Sequence, residues 1–274
     1  MGVGSSPSIF LSRHPDVVAV TLENSYGSTP REAGALMLVS PDATWGTIGG
    51  GQLEHQAIIE ARGLLPQGGQ SRRISVALGP EIAQCCGGRA HLLFEQLTRP
   101  KAIALAVRLD ETTSEHPRVF VFGAGHVGRA LIYSLAPLPF RLTVVDPRPE
   151  EVAKLPHGTD FRLTPIPEGE VKTMPPGSLA LILTHDHSLD FLIARSALAR
   201  EDLSYVGMIG SKTKRKVFSK WLVSEGEGQL RWLDSLVSPI GGRSLRDKRP
   251  EVIAATTAVE LLTYKPLKLQ RQYV

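Results

Sequence analysis

Apolar and polar positions follow two different rhythms along the 274-residue chain. Between Asp16 and Gly51, Val17–Leu22 and Ala35–Ser40 are apolar and rich in β-formers. Ser40-Pro41-Asp42 then supplies turn chemistry before Trp45, so this opening reads as antiparallel strands. Gly49-Gly50-Gly51 leads into residues 52–61, where Leu53, Ala57, Ile58 and Ala61 recur at helical spacing. Two more β-like stretches, Ser71–Leu78 and Arg89–Leu97, bracket Cys85-Cys86-Gly87-Gly88 in the manner of a hairpin-like return. Residues 1–110 are therefore expected to form an α+β domain.

Residues 111–117 are polar and end on Pro117, which suits a domain linker. Beyond them strand and helix signals alternate: strand Arg118–Phe122, helix 126–136, strand Arg141–Val145, strand 179–184, helix 188–199, strand 203–206 and helix 211–225. A last helix is expected over Pro250–Tyr264, opened by Pro250 with Glu251 in its first turn. Such alternation implies a parallel sheet with crossover helices. The chain is thus read as an α/β protein: a C-terminal Rossmann-like parallel sheet with helices on both faces, residues 118–274, preceded by a smaller α+β domain. No internal repeat or low-complexity tract interrupts it.

Composition narrows the functions open to such a fold. An apolar fraction of 42% with 21% charged residues is that of a soluble globular protein, and no apolar run approaches the ~18 residues that would cross a bilayer. The first residues lack the basic flank and long apolar stretch of a secretory signal. Gly2 and Ser6 match a myristoylation pattern by chance, and the expected location is the cytoplasm. A net charge of +4, from 31 basic and 27 acidic residues, is too balanced for a protein that lives by neutralising phosphates on nucleic acid. Lys212, Lys214, Arg215, Lys216 and Lys220 cluster, and a helix starting near Ser211 would hold them mostly on a solvated face. Cys85 and Cys86 are neighbours, a spacing that resists a structural disulfide.

The strongest chemical signal is Gly123-Ala124-Gly125-His126-Val127-Gly128, placed directly after Val119–Phe122 and opening a helix with Leu131, Ile132 and Leu135. The first glycine permits the turn, the second admits a phosphate to backbone amides, and the third lets the helix pack on its strand. Asp146 ends the next strand, where an acid would bind a ribose hydroxyl. The same turn could also serve packing alone. His126 is expected to line it. A later strand runs into Thr184-His185-Asp186-His187-Ser188-Leu189-Asp190, a second edge of the cleft. Its histidines and aspartates could ligate a metal if another element converged on them; otherwise Ser188 caps the following helix, with Asp190 in its first turn. Gly210-Ser211, after Val206–Ile209, resembles a third anion-facing turn.

Two polar loops stand in the N-terminal region. Ser28 and Arg31, in Tyr26–Gly34, and Gly49, Gly50 and Gly51 could hold a phosphate or a pterin edge through backbone amides and a bidentate guanidinium, or could be plain turns with a surface arginine. Cys85 and Cys86 beside Gly87-Gly88 are more specific, because glycines leave a thiol open and offer donors to a thiolate. One active thiol is expected, Cys85 or Cys86, the other being buried core.

Taken in order, Gly27–Gly34, Gly46–Glu54, Gln84-Cys85-Cys86-Gly87-Gly88, the Gly123–Gly128 turn, Thr184–His187 and Gly207–Ser211 resemble the XdhC/CoxI family, the xanthine dehydrogenase accessory proteins. The resemblance spans nearly the whole chain. It implies a chaperone, without turnover of its own, that binds the molybdenum cofactor (molybdopterin), guards it during sulfuration with sulfur from a cysteine desulfurase, and delivers it to apo-xanthine dehydrogenase. On the chemistry of the loops and turns above, Ser28, Arg31, Gly49, Gly50, Gly51, Cys85, Cys86, Gly87, Gly123, Gly125, Gly128, Asp146 and His185 are the candidate contacts to such a cofactor. Cys85 or Cys86 would face the molybdenum. A dinucleotide is compatible with the turn but not required. The rival from fold logic is an NAD(P)- or flavin-dependent oxidoreductase, with His185 or Cys86 doing proton or thiol chemistry. A plain dehydrogenase would not require the cysteine-glycine run, and a nucleotide-sensing module, which would need only Asp146 and the turn, leaves Cys85 and Cys86 without a purpose. A homodimer is the default assembly.

Overall fold

The computed structural model describes residues 6–67, 71–78, 88–225, 232–242 and 247–264. The chain divides into two compact units between Ser114 and Glu115. The N-terminal unit runs α1 (Pro7–Arg13), β1 (Val18–Tyr26), β2 (Leu36–Val39), β3 (Thr44–Gly46), α2 (Gly51–Leu64), β4 (Ser71–Ala77), β5 (Arg89–Gln96) and α3 (Arg99–Ser114). Its five strands pair antiparallel in the order β3-β2-β1-β5-β4. Alternate residues of β1 serve opposite faces. Val18, Val20 and Leu22 pack with Leu53, Ala57 and Ala61 of α2, while Ala19, with Val17 just ahead of the strand, packs with Phe10 of α1 and Leu105 of α3. Burial on both faces explains why β1 reads as a nearly continuous apolar run.

Residues 111–114, expected in the linker, form the last turn of α3. Their polar side chains close on their own helix: the Thr112 and Thr113 hydroxyls donate to the carbonyls of Arg108 and Leu109 at 3.0 and 2.9 Å, and Ser114 to Glu111 at 2.7 Å. Only Glu115-His116-Pro117 lie between α3 and the next strand.

The C-terminal unit runs β6 (Arg118–Phe122), α4 (His126–Leu135), β7 (Arg141–Asp146), α5 (Pro149–Val152), β8 (Phe161–Leu163), α6 (Pro167–Glu170), β9 (Leu179–Ile182), α7 (His187–Leu198), β10 (Tyr205–Met208), α8 (Lys212–Ser224), α9 (Trp232–Ser235), β11 (Leu236–Val237) and α10 (Pro250–Thr263). All strand pairs are parallel, in the order β11-β10-β9-β6-β7-β8. Phe120 and Phe122 of β6 pack with Phe191 and Ile193 of α7 and Phe218 of α8. Val119 and Val121 point to the other face, against Leu131 and Leu135 of α4 and Ala254 and Leu261 of α10. The chain winds outward from β6 through β7 to β8, then returns to β9 on the opposite side of β6. This reversal is a topological switch point, and in open α/β sheets the crevice beyond the strand ends at that point is where ligands bind. Among the described residues no helix is long and apolar enough to cross a membrane.

Candidate functional site: the crevice at the switch point

The turns after β6 and β9 meet at the carboxyl edge of the sheet. The Leu183 amide donates to the Phe122 carbonyl at 2.9 Å, and the Gly123 amide to the Val145 carbonyl at 2.9 Å. The three glycines of the turn then have different reasons to be glycine. Gly123 has φ +122°, and a Cβ there would overlap the Leu183 carbonyl oxygen and stand 2.8 Å from its carbon. At Gly128 a Cβ would overlap the Gly123 carbonyl oxygen and lie 3.4 Å from Leu183 Cδ1. These two are demanded by packing. Gly125 is not: its φ of −66° and ψ of −166° suit any residue, and a Cβ there would meet nothing within 4 Å. It is also the N-cap of α4, with no side chain capping the first turn. The empty volume beside it and the uncapped amides fit a phosphate.

Asp146 does not stand open for a ribose hydroxyl, as its position in the sequence suggested. It is 1% exposed. Its Oδ2 accepts from the Ala124 amide at 2.6 Å and Arg148 Nη2 at 2.8 Å, and its Oδ1 from the Arg148 amide and Nε, both at 2.9 Å. Burial alone would raise its pKa, but the hydrogen bonds from Arg148 and the Ala124 amide outweigh that and hold the carboxyl below its ordinary range. The Ala124 carbonyl is taken as well, by Arg129 Nη1 at 2.9 Å, which also pairs with Glu151 at 2.6 Å. Lys154 and Arg129 bring Glu151 down to about 2. The turn is braced through both the amide and the carbonyl of Ala124.

The second loop and α8 depart from expectation at Asp186 and Lys214. The cap of α7 is Asp186 rather than Ser188: its carboxylate accepts from the Ser188 and Leu189 amides, which lowers its pKa. Asp190 is fully buried. Its Oδ1 accepts from the Thr184 amide at 2.8 Å and the Thr184 hydroxyl at 2.7 Å, and its Oδ2 pairs with Lys214 Nζ. Lys214, expected on the solvated face of α8, is therefore buried, and its stem fills the space that a side chain at Gly210 would need. The helix starts one residue after Ser211, which caps it by accepting from the Lys214 amide at 3.2 Å, so Gly210-Ser211 holds a capped helix. His126 and His185 are exposed beside the two turns. Among the described residues no group of three His, Cys, Asp or Glu side chains could hold a metal.

In the N-terminal unit the loops converge. A Cβ at Gly49 would stand 2.6 Å from Pro30 Cγ and 3.6 Å from Arg31 Cγ, and one at Gly88 would stand 2.6 Å from the Tyr26 carbonyl oxygen and 3.0 Å from the Ser28 carbonyl carbon. Ser28 and Arg31 are exposed. The Gly49-Gly50 amides, however, are not free to hold a phosphate. Glu54, from the first turn of α2, turns back so that its Oε2 accepts from the Ile48 amide at 3.2 Å, the Gly50 amide at 3.0 Å and the Thr47 hydroxyl, and Thr47 Oγ1 accepts from the Gly49 amide at 3.1 Å. The sequence reading missed Glu54, although an acid in the first turn behind a glycine run is the available signal. Cys85, Cys86 and Gly87 lie outside the described residues. A groove of about 420 Å³ beside Ala19, Leu36, Leu97, Lys101, Leu105 and Arg108 contains none of the candidate residues.

Comparison with known proteins adds an independent line. A family model described as the XdhC Rossmann domain matches residues 119–261, and one described as the XdhC and CoxI family matches residues 10–76. "Uncharacterized protein YqeB" of Escherichia coli is 26% identical over 257 residues, covering 88% of this chain and 42% of that protein. The chain thus spans about two fifths of that relative's length. A crystal structure described as a xanthine dehydrogenase from Bacillus halodurans superposes with a TM-score of 0.78 at 20% identity over 97% of each chain, a likeness of fold.

Proposed function

Because the chain belongs to the XdhC and CoxI family, we propose that it is an accessory protein that binds the molybdenum cofactor, shields it during sulfuration with sulfur from a cysteine desulfurase, and passes it to apo-xanthine dehydrogenase. The carrying observation is Gly125, a glycine that packing and backbone do not require, facing empty space at an uncapped helix start on the switch point. The cofactor joins a molybdenum dithiolene to a pterin bearing a phosphate, and when bound it supplies the metal centre whose terminal ligand becomes sulfur. The amides that open α4 would hold the phosphate. Thr184 and the Gly123 turn, fixed through Asp190 and Asp146, would set the width of the crevice. His126 and His185 would border the pterin, offering ring nitrogens to its polar edges. One thiol of Cys85 and Cys86 would take part in the sulfur transfer.

The test is anaerobic reconstitution followed by gel filtration. Molybdenum and pterin should co-elute with the wild-type chain near one equivalent, and Gly125→Val should lose them while melting at the wild-type temperature. A folded Gly125→Val that keeps its full load would move the phosphate elsewhere, and a wild-type chain that elutes empty would refute the carrier role.

A further inference from the structure

An acid at the end of the second strand of a 3-2-1-4-5-6 sheet ordinarily receives the ribose of a dinucleotide, for which it needs lone pairs turned toward the ligand. A carboxylate has about four acceptor sites. Asp146 spends all of them inside the protein: two on Arg148 through Oδ1, and one each on Arg148 and the Ala124 amide through Oδ2. We infer that the Asp146–Arg148 lock closes this crevice to ligands that must present a ribose diol, NAD among them, and leaves it to phosphate esters read at Gly125 alone.

The chemistry on both sides of the lock agrees. A side-on Arg–carboxylate pair is charge-assisted and bidentate, stronger than the neutral hydroxyl contacts that would replace it. With Asp146 1% exposed, a diol could reach it only by displacing the guanidinium, which would exchange the charge-assisted pair for neutral hydroxyl contacts. The Ala124 amide, which would otherwise face a pyrophosphate, is also committed, so the turn has fewer donors for a two-phosphate bridge than its sequence suggests. What remains is the open space beside Gly125, where a Cβ would meet nothing within 4 Å, at the uncapped start of α4. This inference rests on reading that turn as the phosphate site proposed above.

The test is calorimetric titration of the full chain with NAD, on the wild type and on Arg148→Met and Arg148→Ala, with thermal melts to confirm folding. Methionine keeps the stem of Arg148 and removes its donors. The wild type should give no saturable binding up to about 1 mM NAD, and the variants, with Asp146 released, should bind at least about ten-fold more tightly, below that limit. Saturable wild-type binding below about 1 mM, or two folded variants that gain nothing, would overturn the lock. Reconstitution of the wild type with molybdopterin is scored separately. A wild type that stays empty of molybdopterin while Arg148→Met gains NAD would remove the carrier role and leave the lock standing.

Discussion

Replacing Lys214 by methionine removes one partner of a pair whose other member, Asp190, is fully buried, with the Lys214 side chain itself 8% exposed. The stem of the side chain is conserved, so packing against Gly210 survives and the loss is chiefly of charge. Breaking a buried ion pair by deleting one partner costs about 3–5 kcal/mol, because the remaining charge stays desolvated. Here Asp190 keeps two hydrogen bonds from Thr184, at 2.8 and 2.7 Å. Bonds to a charged group are each worth about 1.5–3 kcal/mol, which places the expected loss at the lower end, about 3 kcal/mol. For a unit of about 150 residues this lowers the melting temperature by roughly 6–12 °C. Urea unfolding followed by tryptophan emission reports it well, since Trp221 packs against Phe191 and Phe218 beside the pair. The double variant Lys214→Met with Asp190→Asn, which leaves no buried charge, should recover at least about 1 kcal/mol of the loss. A single variant losing less than about 1 kcal/mol, or a double variant no better than the single, would show that the pair does not hold this loop.

Two further outcomes follow from the glycine turn and its brace. Gly128→Ala should lose about 1–3 kcal/mol through overlap with the Gly123 carbonyl, whereas Gly125→Ala should change stability by less than about 0.5 kcal/mol, the entropic gain offsetting a poorer N-cap; equal losses in chemical denaturation would deny the distinction. Because the folded pKa of Asp146 lies below its ordinary 3.8, its contribution is fully present above about pH 5 and is lost as pH falls through the folded value. Unfolding midpoints measured from pH 5 down to pH 2 should therefore decline less steeply for Asp146→Asn than for the wild type, and parallel slopes would contradict the assignment.

The central strands of the parallel sheet were legible because both their faces are buried: β6 and β9 read as unbroken apolar runs bounded by glycine or polar turns. The helices on either side showed through their spacing, and the glycine turn through its place between a strand and a helix. α3 was not legible, because Leu105 is its one buried residue and no apolar stripe marks it. β8 has three residues on the sheet edge with two side chains exposed, too short for an alternation to register. At the site, the residue types were readable and their partners were not. Asp146 meets Ala124 across 22 positions and Lys214 meets Asp190 across 24, pairings that exist only once strands and helices are assembled. Local pattern therefore pointed Asp146 at a ligand and Lys214 at water, and tertiary contacts turned both inward.

Glu54 gives the N-terminal glycine loop a different character from the turn at Gly125. Four residues beyond the Gly50 amide that it accepts from, it is a ligand on a very short leash, present at an effective concentration on the order of millimolar or above. A free anion of similar chemistry must exceed that level to take its place, so the loop ignores ordinary swings in dissolved phosphate. Its occupancy is fixed by covalent connectivity rather than by supply, and it can act as an unchanging wall beside Pro30 and Arg31. At Gly125 no such acid among the described residues is tethered to the helix start, so an anion there would be held by supply rather than by connectivity.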